Sequence, residues 1–238
     1  MTKAAKLFRT LGDGPPASQE VAAATVILIR DADRGIETLM LHRNSALAFG
    51  GMWVFPGGRV DEEDRQGLEP TDDVGAARRA AVREAKEETG LIVAPKSVVP
   101  YSHWSPPAIA PKRFLTWFFI GKAPAGAVSI DQGEIHDHAW MAPADALRRR
   151  NAGEIELAPP TWVTLHELTS WLRTDEALAA ATRRVPERFV TRVANGGSVV
   201  LWHGDAGYED GDASKPGPRH RLRLDGDWRY ERTPTGQE

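Results

Sequence analysis

The sequence predicts an α+β domain, and three observations carry that prediction. Apolar, β-branched runs at 21–29 and 38–43 flank the turn residues Asp31 to Gly35, the pattern of a hairpin. An alanine-rich stretch after Asp72 and Asp73 has helical spacing and ends at Gly90. The remaining strand and helix patterns follow without a regular βαβ alternation, which argues against a doubly wound parallel sheet.

Composition sets the outer bounds. With 238 residues, 41% hydrophobic and 26% charged, the chain is long enough to bury a sizeable core. Thirty basic against 33 acidic side chains give a net charge of −3, which is not the footprint of a nucleic-acid binder. The absence of cysteine excludes a disulfide framework, a Cys-ligated zinc or iron–sulfur site and a thiol nucleophile. No apolar run approaches the roughly 20 residues that span a bilayer. Lys3, Lys6 and Arg9 have no apolar stretch after them, so the N-terminus is a poor secretory signal. The expectation is a cytoplasmic protein with no membrane and no nucleic-acid partner.

Taken in order, residues 1–20 hold Gly12, Gly14, Pro15 and Pro16 and are expected to form a flexible tail. Val21 to Ile29 and Thr38 to Arg43 are the hairpin strands, and Asn44 to Gly51 is a loop. Trp53 to Phe55 is a short strand stopped by Pro56, Gly57 and Gly58. Residues 61–73 read as an acidic loop, then a helix runs to about Thr89 with Asp72 or Asp73 as its cap. Ala76, Ala77, Ala80, Ala81 and Ala85 let that helix pack closely on a sheet. Val98 to Trp104, Arg113 to Ile120 and His136 to Met141 read as strands. Pro143 opens a helix to Arg150, whose Arg148 to Arg150 run reads as a solvated end complementing the helix dipole. Pro159-Pro160 opens another, with Trp162, Leu165, Leu168 and Leu172 as core positions, and Glu176 to Arg184 a third. Ser198 to Trp202 is a strand, 204–219 a loop, and Asp225-Gly226 the turn of a last hairpin. The division expected is a domain over 21–184 and an extension over 185–238 that packs on it through Trp202 and Trp228.

The chemistry lies in Arg83-Glu84-Ala85-Lys86-Glu87-Glu88-Thr89-Gly90-Leu91. Glu84, Glu87 and Glu88 stand at i, i+3 and i+4, so a helix puts all three carboxylates on one face. Such like charges repel, and a divalent cation offsets the repulsion; hard oxygen donors without sulfur suit Mg²⁺ or Mn²⁺. The alternative is a solvated helix face salt-bridged by Arg83 and Lys86. Pro56-Gly57-Gly58, ahead of the helix, offers bare backbone that can approach a phosphate or a metal. His136 and His138 alternate on a strand and are read as exposed or structural.

These residues resemble the box of the Nudix hydrolases, Gly-x5-Glu-x7-Arg-Glu-U-x-Glu-Glu-x-Gly-U with U aliphatic. The second half matches with Ala85 as the first U. The first half departs: Gly58-x5 leads to Asp64 rather than Glu, and 18 residues instead of seven separate Asp64 from Arg83. An 11-residue insertion before the helix accounts for the difference and leaves open whether Asp64 orients Arg83. The resemblance implies a mixed β-sheet sandwiched between helices, with the box as loop–helix–loop. It also implies hydrolysis of a diphosphate in a nucleoside-diphosphate-linked metabolite, a small nucleotide-type substrate, and a homodimer. By the same resemblance Glu87 and Glu88 hold the metal, and Glu84 is a further ligand or the general base. The carbonyl of Gly57 or Gly58, with Gly58 taken as the ligand, completes the coordination, and Arg83 orients the carboxylates. Glu134 is a second candidate base, with an exposed loop residue as the alternative.

For the substrate, Gly51-x3-Phe55-Pro56-Gly57-Gly58 is similar to the end of the coenzyme A diphosphatase motif, and the long insertion resembles that branch's peroxisomal-type members. Leu39, Leu41, Arg43 and Ser45 resemble the start of the motif at shifted spacing, with Leu47 where it has Arg. Pro106 and Pro107 sit where ADP-ribose hydrolases carry Pro, so ADP-ribose or NADH is the alternative substrate. A non-catalytic nucleotide-sensing domain is the other class, against which the three retained carboxylates speak. Trp104 and Phe114 are candidates to stack on an adenine ring, with sheet core as the alternative reading, and Arg113 is a candidate to pair with a phosphate.

Overall fold

A computed structural model describes residues 20–44, 50–108, 110, 112–130 and 133–234. The expected tail up to residue 19, and Ser45 and Leu47, lie outside the described residues. Strands β1 (Glu20–Ala32) and β2 (Gly35–Arg43) form the expected hairpin. β1 is the spine of an eight-stranded mixed sheet, antiparallel to β2 and parallel to β6 (Arg113–Lys122). β5 (Val98–Ser105) pairs antiparallel with β6, and β8 (Glu187–Val190) adds parallel to β5 at the edge. β3 (Trp53–Val54) and β7 (Ile135–Met141) both pair with β2.

Alternation along β1 explains how both faces are covered. Val26 and Leu28 pack on one side with Leu39, Leu41 and Phe119 under helix α2 (Asp73–Thr89). Ile27 and Ile29 pack on the other, under α4 (Pro159–Leu168) and α5 (Thr174–Arg183). α3 (Pro143–Asn151) contributes Ala146 to that second core. The chain after α5 forms an antiparallel four-stranded sheet, β9 (Arg192–Ala194), β10 (Val199–Leu201), β11 (His220–Arg223) and β12 (Arg229–Arg232). Its Trp202, Leu222 and Trp228 are buried in the same cluster as Trp104, Phe189 and Trp162. Among the described residues no helix is long and apolar enough to cross a membrane.

Four local expectations are corrected. Pro56-Gly57-Gly58 does not end strand structure: Gly57–Arg59 is a strand, β4, paired antiparallel with β1. The acidic loop contains a helical turn, α1 (Glu62–Arg65), closed by a capping box between Asp61 and Asp64. Leu172 is not core; α4 stops at Leu168, and Leu172 is 67% exposed in the turn before α5. Arg150 is not solvated: Trp228 lies 4.0 Å from its guanidinium carbon, and the extension covers it.

Candidate active site

Helix α2 places the box. Asp72 caps it, accepting the Gly75 N–H at 2.8 Å, and Gly90 ends it in the left-handed conformation at φ +71°. Between these stops the five alanines predicted to face the sheet are all buried. Their stripe fixes the rotation of the helix, so Glu88, two turns beyond Ala81 and one beyond Ala85, is pressed against β4 and only 4% exposed.

The carboxylates meet backbone and arginine there. The Gly57 N–H donates to Glu88 Oε2 at 2.9 Å, and Arg43 Nη1 lies 3.4 Å from Oε1. Burial pushes the Glu88 carboxyl up to about 8 despite these two partners, and the neighbouring charges of Glu84 and Glu134 push the same way. Burial also raises Glu84 above its ordinary value, over the opposing pull of Arg83. Glu84 lies flat on Gly58, where a Cβ would stand 2.3 Å from its Cδ. Arg83 Nη1 donates to Glu84 and to Glu87, each at 3.0 Å. Its other edge is held by Asp64: Nε donates to Oδ1 at 3.2 Å and Nη2 to Oδ2 at 3.0 Å. Nη2 also donates to the Arg59 carbonyl at 3.0 Å. The bond to Asp64 foremost, with Glu84 beside it, holds the guanidinium well above its ordinary range against the opposing effect of burial. Asp64 is 5% exposed, so the insertion after it leaves a buried, bidentate anchor for Arg83.

Ladder geometry separates the two glycines. Val26 N–H donates to the Pro56 carbonyl and Val60 N–H to the Ala22 carbonyl, bracketing the Ala24–Gly58 pair. By antiparallel alternation, the Gly58 N–H and C=O then point at Ala24, while those of Gly57 point out of the ladder. The Gly57 N–H accordingly meets Glu88, and its carbonyl accepts a hydrogen bond from Arg43 at 3.4 Å. The Gly58 carbonyl, expected as the backbone ligand, thus faces β1, and the carbonyl that points out of the ladder is that of Gly57; what Gly58 supplies is room for Glu84.

Other expectations fare differently. Glu134, reached from a loop far along the chain, accepts from Arg43 Nη2 at 2.6 Å and so stands beside Glu88. Trp104 does not offer a face to a ligand: it is 4% exposed, with Phe189 stacked at 3.8 Å and Trp202 edge-on at 5.7 Å. Arg113 is paired with Glu20 and with the Pro106 carbonyl. It stands four residues along β6 from Trp117, which pairs with Ala24, so it is offset by about 13 Å along the strand axis from the level of the glycines, and two strands across from them. Phe114 is half-buried beneath the Lys112 ammonium. His136 is exposed, 6.5 Å ring to ring from His42. Arg43, noted only as part of a shifted motif, is the residue the sequence reading undervalued.

The donor set fits a hard divalent cation. It consists of carboxyl and carbonyl oxygens, and burial disfavours the very Glu88 charge that a bound cation would stabilise. Among the described residues no three acidic or His side chains already converge as ligands; Arg43 and Arg83 lie between them. The NUDIX domain family matches residues 20–160, more than half of the 238-residue chain. The chain belongs to the NUDIX family of hydrolases. A NUDIX hydrolase from Alicyclobacillus acidocaldarius has a similar structure, with 24% identity over 68% of this chain and 96% of that one and a TM-score of 0.61. The NUDIX domain of Shewanella oneidensis NrtR, complexed with ADP ribose, matches at 20% identity over 71% and 97%, with a TM-score of 0.49. At 24% identity the likeness to the Alicyclobacillus acidocaldarius hydrolase speaks for the fold alone. No curated protein matches the chain.

Proposed function

We propose that this Nudix chain is a Mg²⁺- or Mn²⁺-dependent diphosphatase. Its proposed substrate is coenzyme A or an acyl-coenzyme A, split to 3′,5′-ADP and (acyl-)phosphopantetheine. The observation that carries the reading is the seating of Glu88 on the outward-facing Gly57 N–H and of Glu84 over Gly58, with Arg43 linking Glu88 to Glu134 and Arg83 linking Glu84 to Glu87. Phosphoryl transfer asks chiefly for alignment and charge neutralisation. A bound metal supplies Lewis-acid neutralisation of the diphosphate and a more acidic water. The protein does the rest. Glu84, Glu87, Glu88 and the Gly57 carbonyl are the proposed metal-holding groups. Arg83, anchored by Asp64, sets the spacing of Glu84 and Glu87. Glu84 and Glu134 are the groups proposed to take the proton of the attacking water.

The coenzyme A assignment is supported by the Gly51-x3-Phe55-Pro56-Gly57-Gly58 run. ADP-ribose or NADH is the second reading, favoured by the position of Pro106 and Pro107. The proposed setting is the cytoplasm, and the proposed assembly a homodimer, which light scattering reports directly. The functional test is product analysis by mass spectrometry with coenzyme A, an acyl-coenzyme A, ADP-ribose and NADH in Mg²⁺ or Mn²⁺. Glu88→Gln is the control and is expected to be inactive while folded. Phosphopantetheine and 3′,5′-ADP forming fastest supports the first reading; AMP forming fastest from ADP-ribose or NADH replaces it with the second. Nucleotide binding without turnover in any metal overturns both in favour of a sensing domain.

A further inference from the structure

One guanidinium touches three of the groups just assigned. Arg43 Nη1 lies 3.4 Å from the Gly57 carbonyl and 3.4 Å from Glu88 Oε1, and Nη2 lies 2.6 Å from Glu134 Oε2. Glu134 and Arg43 are 91 residues apart in the chain, so no local preference brings them together. The backbone does. Arg43 is the last residue of β2, and by parity it follows Leu39 and Leu41 onto the side covered by α2. A register irregularity between His42 and Arg43 opposite β7 falls at this point, and bulges re-aim side chains in this way. Both main-chain groups are tied to one neighbouring segment: the Arg43 N–H donates to the Met52 carbonyl, and the Arg43 carbonyl accepts from the Gly51 N–H. The next residue pins Glu134 in turn. Asn44 N–H donates to the Glu134 carbonyl at 2.8 Å, and Asn44 Nδ2 to the Gly133 carbonyl at 3.3 Å.

The arrangement has a cost. Arg43 Nε is buried with no hydrogen-bond partner among the described residues. A buried unsatisfied donor is uncommon and calls for an explanation. Here the side chain gives up one donor so that the other two nitrogens span from β4 to the start of β7.

We infer that Arg43 is a positioning residue that holds Glu134 in register with Glu88 and the Gly57 carbonyl, and that it acts on the reaction through Glu134. The inference rests on the diphosphatase reading above for the role of Glu134, but the juxtaposition itself does not. Without Arg43, Glu134 sits on a loop with one long-range tether fewer, and Glu88 loses its only guanidinium neighbour among the described residues. Lysine at this position keeps the charge but is a single point, and it cannot span three acceptors as a planar fork does.

The test is a double-mutant cycle on Arg43→Gln and Glu134→Gln, with Arg43→Lys alongside. Folding is checked by circular dichroism and Tm. In the wild-type background Arg43→Gln is expected to lower kcat at least about tenfold with KM nearly unchanged, a base's share being ~10²–10⁴. In the Glu134→Gln background the same change is expected to cost less than about threefold, because its route of action is already gone. Arg43→Lys is expected to stay near the Gln variant and reports in its place if Arg43→Gln does not fold. Equal losses in both backgrounds overturn the inference. So does a raised KM with kcat intact, which would make Arg43 a substrate contact. The same four proteins are titrated with Mn²⁺, free ion being read by electron paramagnetic resonance. The shift in Mn²⁺ affinity caused by Arg43→Gln is expected to differ between the two backgrounds by at least about threefold, and equal shifts again overturn the inference. A wild-type protein that binds Mn²⁺ but turns over none of the substrates fails the functional reading, while the Mn²⁺ cycle still judges Arg43.

Discussion

Gly58→Ala separates the catalytic demand on the glycine pair from the structural one. A Cβ at Gly58 would stand 2.3 Å from Cδ and Oε1 of Glu84 and 2.6 Å from Oε2. An ordinary van der Waals contact begins near 3.4 Å, so the carboxylate must retreat by about 1.1 Å (3.4 − 2.3). The obstructing atoms are the far end of a flexible side chain, and Gly58 is not among the residues of positive φ, so the backbone accepts alanine. The fold should barely notice, within ~1 kcal/mol as for a surface change. Catalysis should notice strongly, since a misplacement of about 1 Å costs on the order of 10²-fold, or ~2.7 kcal/mol. Gly57→Ala is the counterpart. Its Cβ would strike the Ala24 carbonyl at 2.3 Å and Thr25 Cα at 2.7 Å, backbone that cannot step aside without breaking the β1–β4 ladder. The measurement is product release by chromatography on both variants together with Tm by differential scanning fluorimetry. Gly58→Ala is expected to keep its Tm and lose turnover; Gly57→Ala is expected to lose both. Turnover within threefold of wild type in Gly58→Ala, with Tm unchanged, would refute the placement of Glu84.

Asp64→Asn keeps the shape but removes the charge that anchors Arg83. kcat should fall ~10–100-fold, as when a supporting residue around a metal site is lost, with Mn²⁺ affinity falling in step. Trp104→Ala is expected to lower stability by ~3–5 kcal/mol in urea titration, since it removes a ring stacked in the core, while KM of the surviving protein stays put. The fully buried Asp205–Arg221 pair gives a pH prediction. Burial alone would raise the Asp205 carboxyl, but the Arg221 guanidinium and the His220 and Gly207 N–H groups outweigh it and hold it below its usual range. A depressed folded-state value means stability that is present above the unfolded value, about 3.9, and lost as pH falls through the folded one. Asp205→Asn should therefore cost ~3–5 kcal/mol near neutrality. The gap to wild type should hold flat from pH 8 to 5 and shrink only below about pH 4; a gap that already closes between pH 7 and 5 would count against this account.

What the chain reveals before folding is what its local signals decide. Helix α2 was legible because Asp72, the alanine stripe and Gly90 all lie within it, and the three carboxylates inherit their common face from the helical repeat. Strands β1, β2, β3, β5, β6 and β7 of the large sheet were legible from apolar runs, while β4 and β8, which pair with β1 and β5 far along the chain, were not. Three of the misreadings share a cause, a partner distant in sequence. Arg150 looked like a solvated helix end because Trp228, which covers it, arrives from the extension 78 residues later. Gly57 and Gly58 looked like a stop because nothing local shows that β1 supplies their ladder or that Ala24 and Glu84 leave no room for a Cβ. Trp104 on a strand could face ligand or core, and only Phe189 and Trp202 decide for core. Arg43 carried one faint signal, its parity with Leu39 and Leu41, but its significance depends on where β7 begins.

The insertion tests whether chain length or contact geometry defines the box. Eighteen residues lie between Asp64 and Arg83, yet the carboxylate still grips the Nε–Nη2 edge of the guanidinium with both oxygens. Two further bonds tie the base of the insertion to α2: Arg79 Nη1 donates to the Gln66 carbonyl at 2.6 Å and reaches the Asp64 carbonyl at 3.4 Å. The stretch between is exposed at Gly67, Glu69 and Pro70 and has only a closure cost to meet. That cost grows with the logarithm of length, so six added residues, taking 18 to 24, cost about 0.3 kcal/mol. Inserting a six-residue Gly/Ser segment between Glu69 and Pro70 should thus leave Tm within about 2 °C and kcat within about twofold. A kcat loss of tenfold at unchanged Tm would mean that the insertion itself reaches the substrate. If the expected result holds, Asp64 is bound to the box by its contact with Arg83, and the number of residues between them is free to vary.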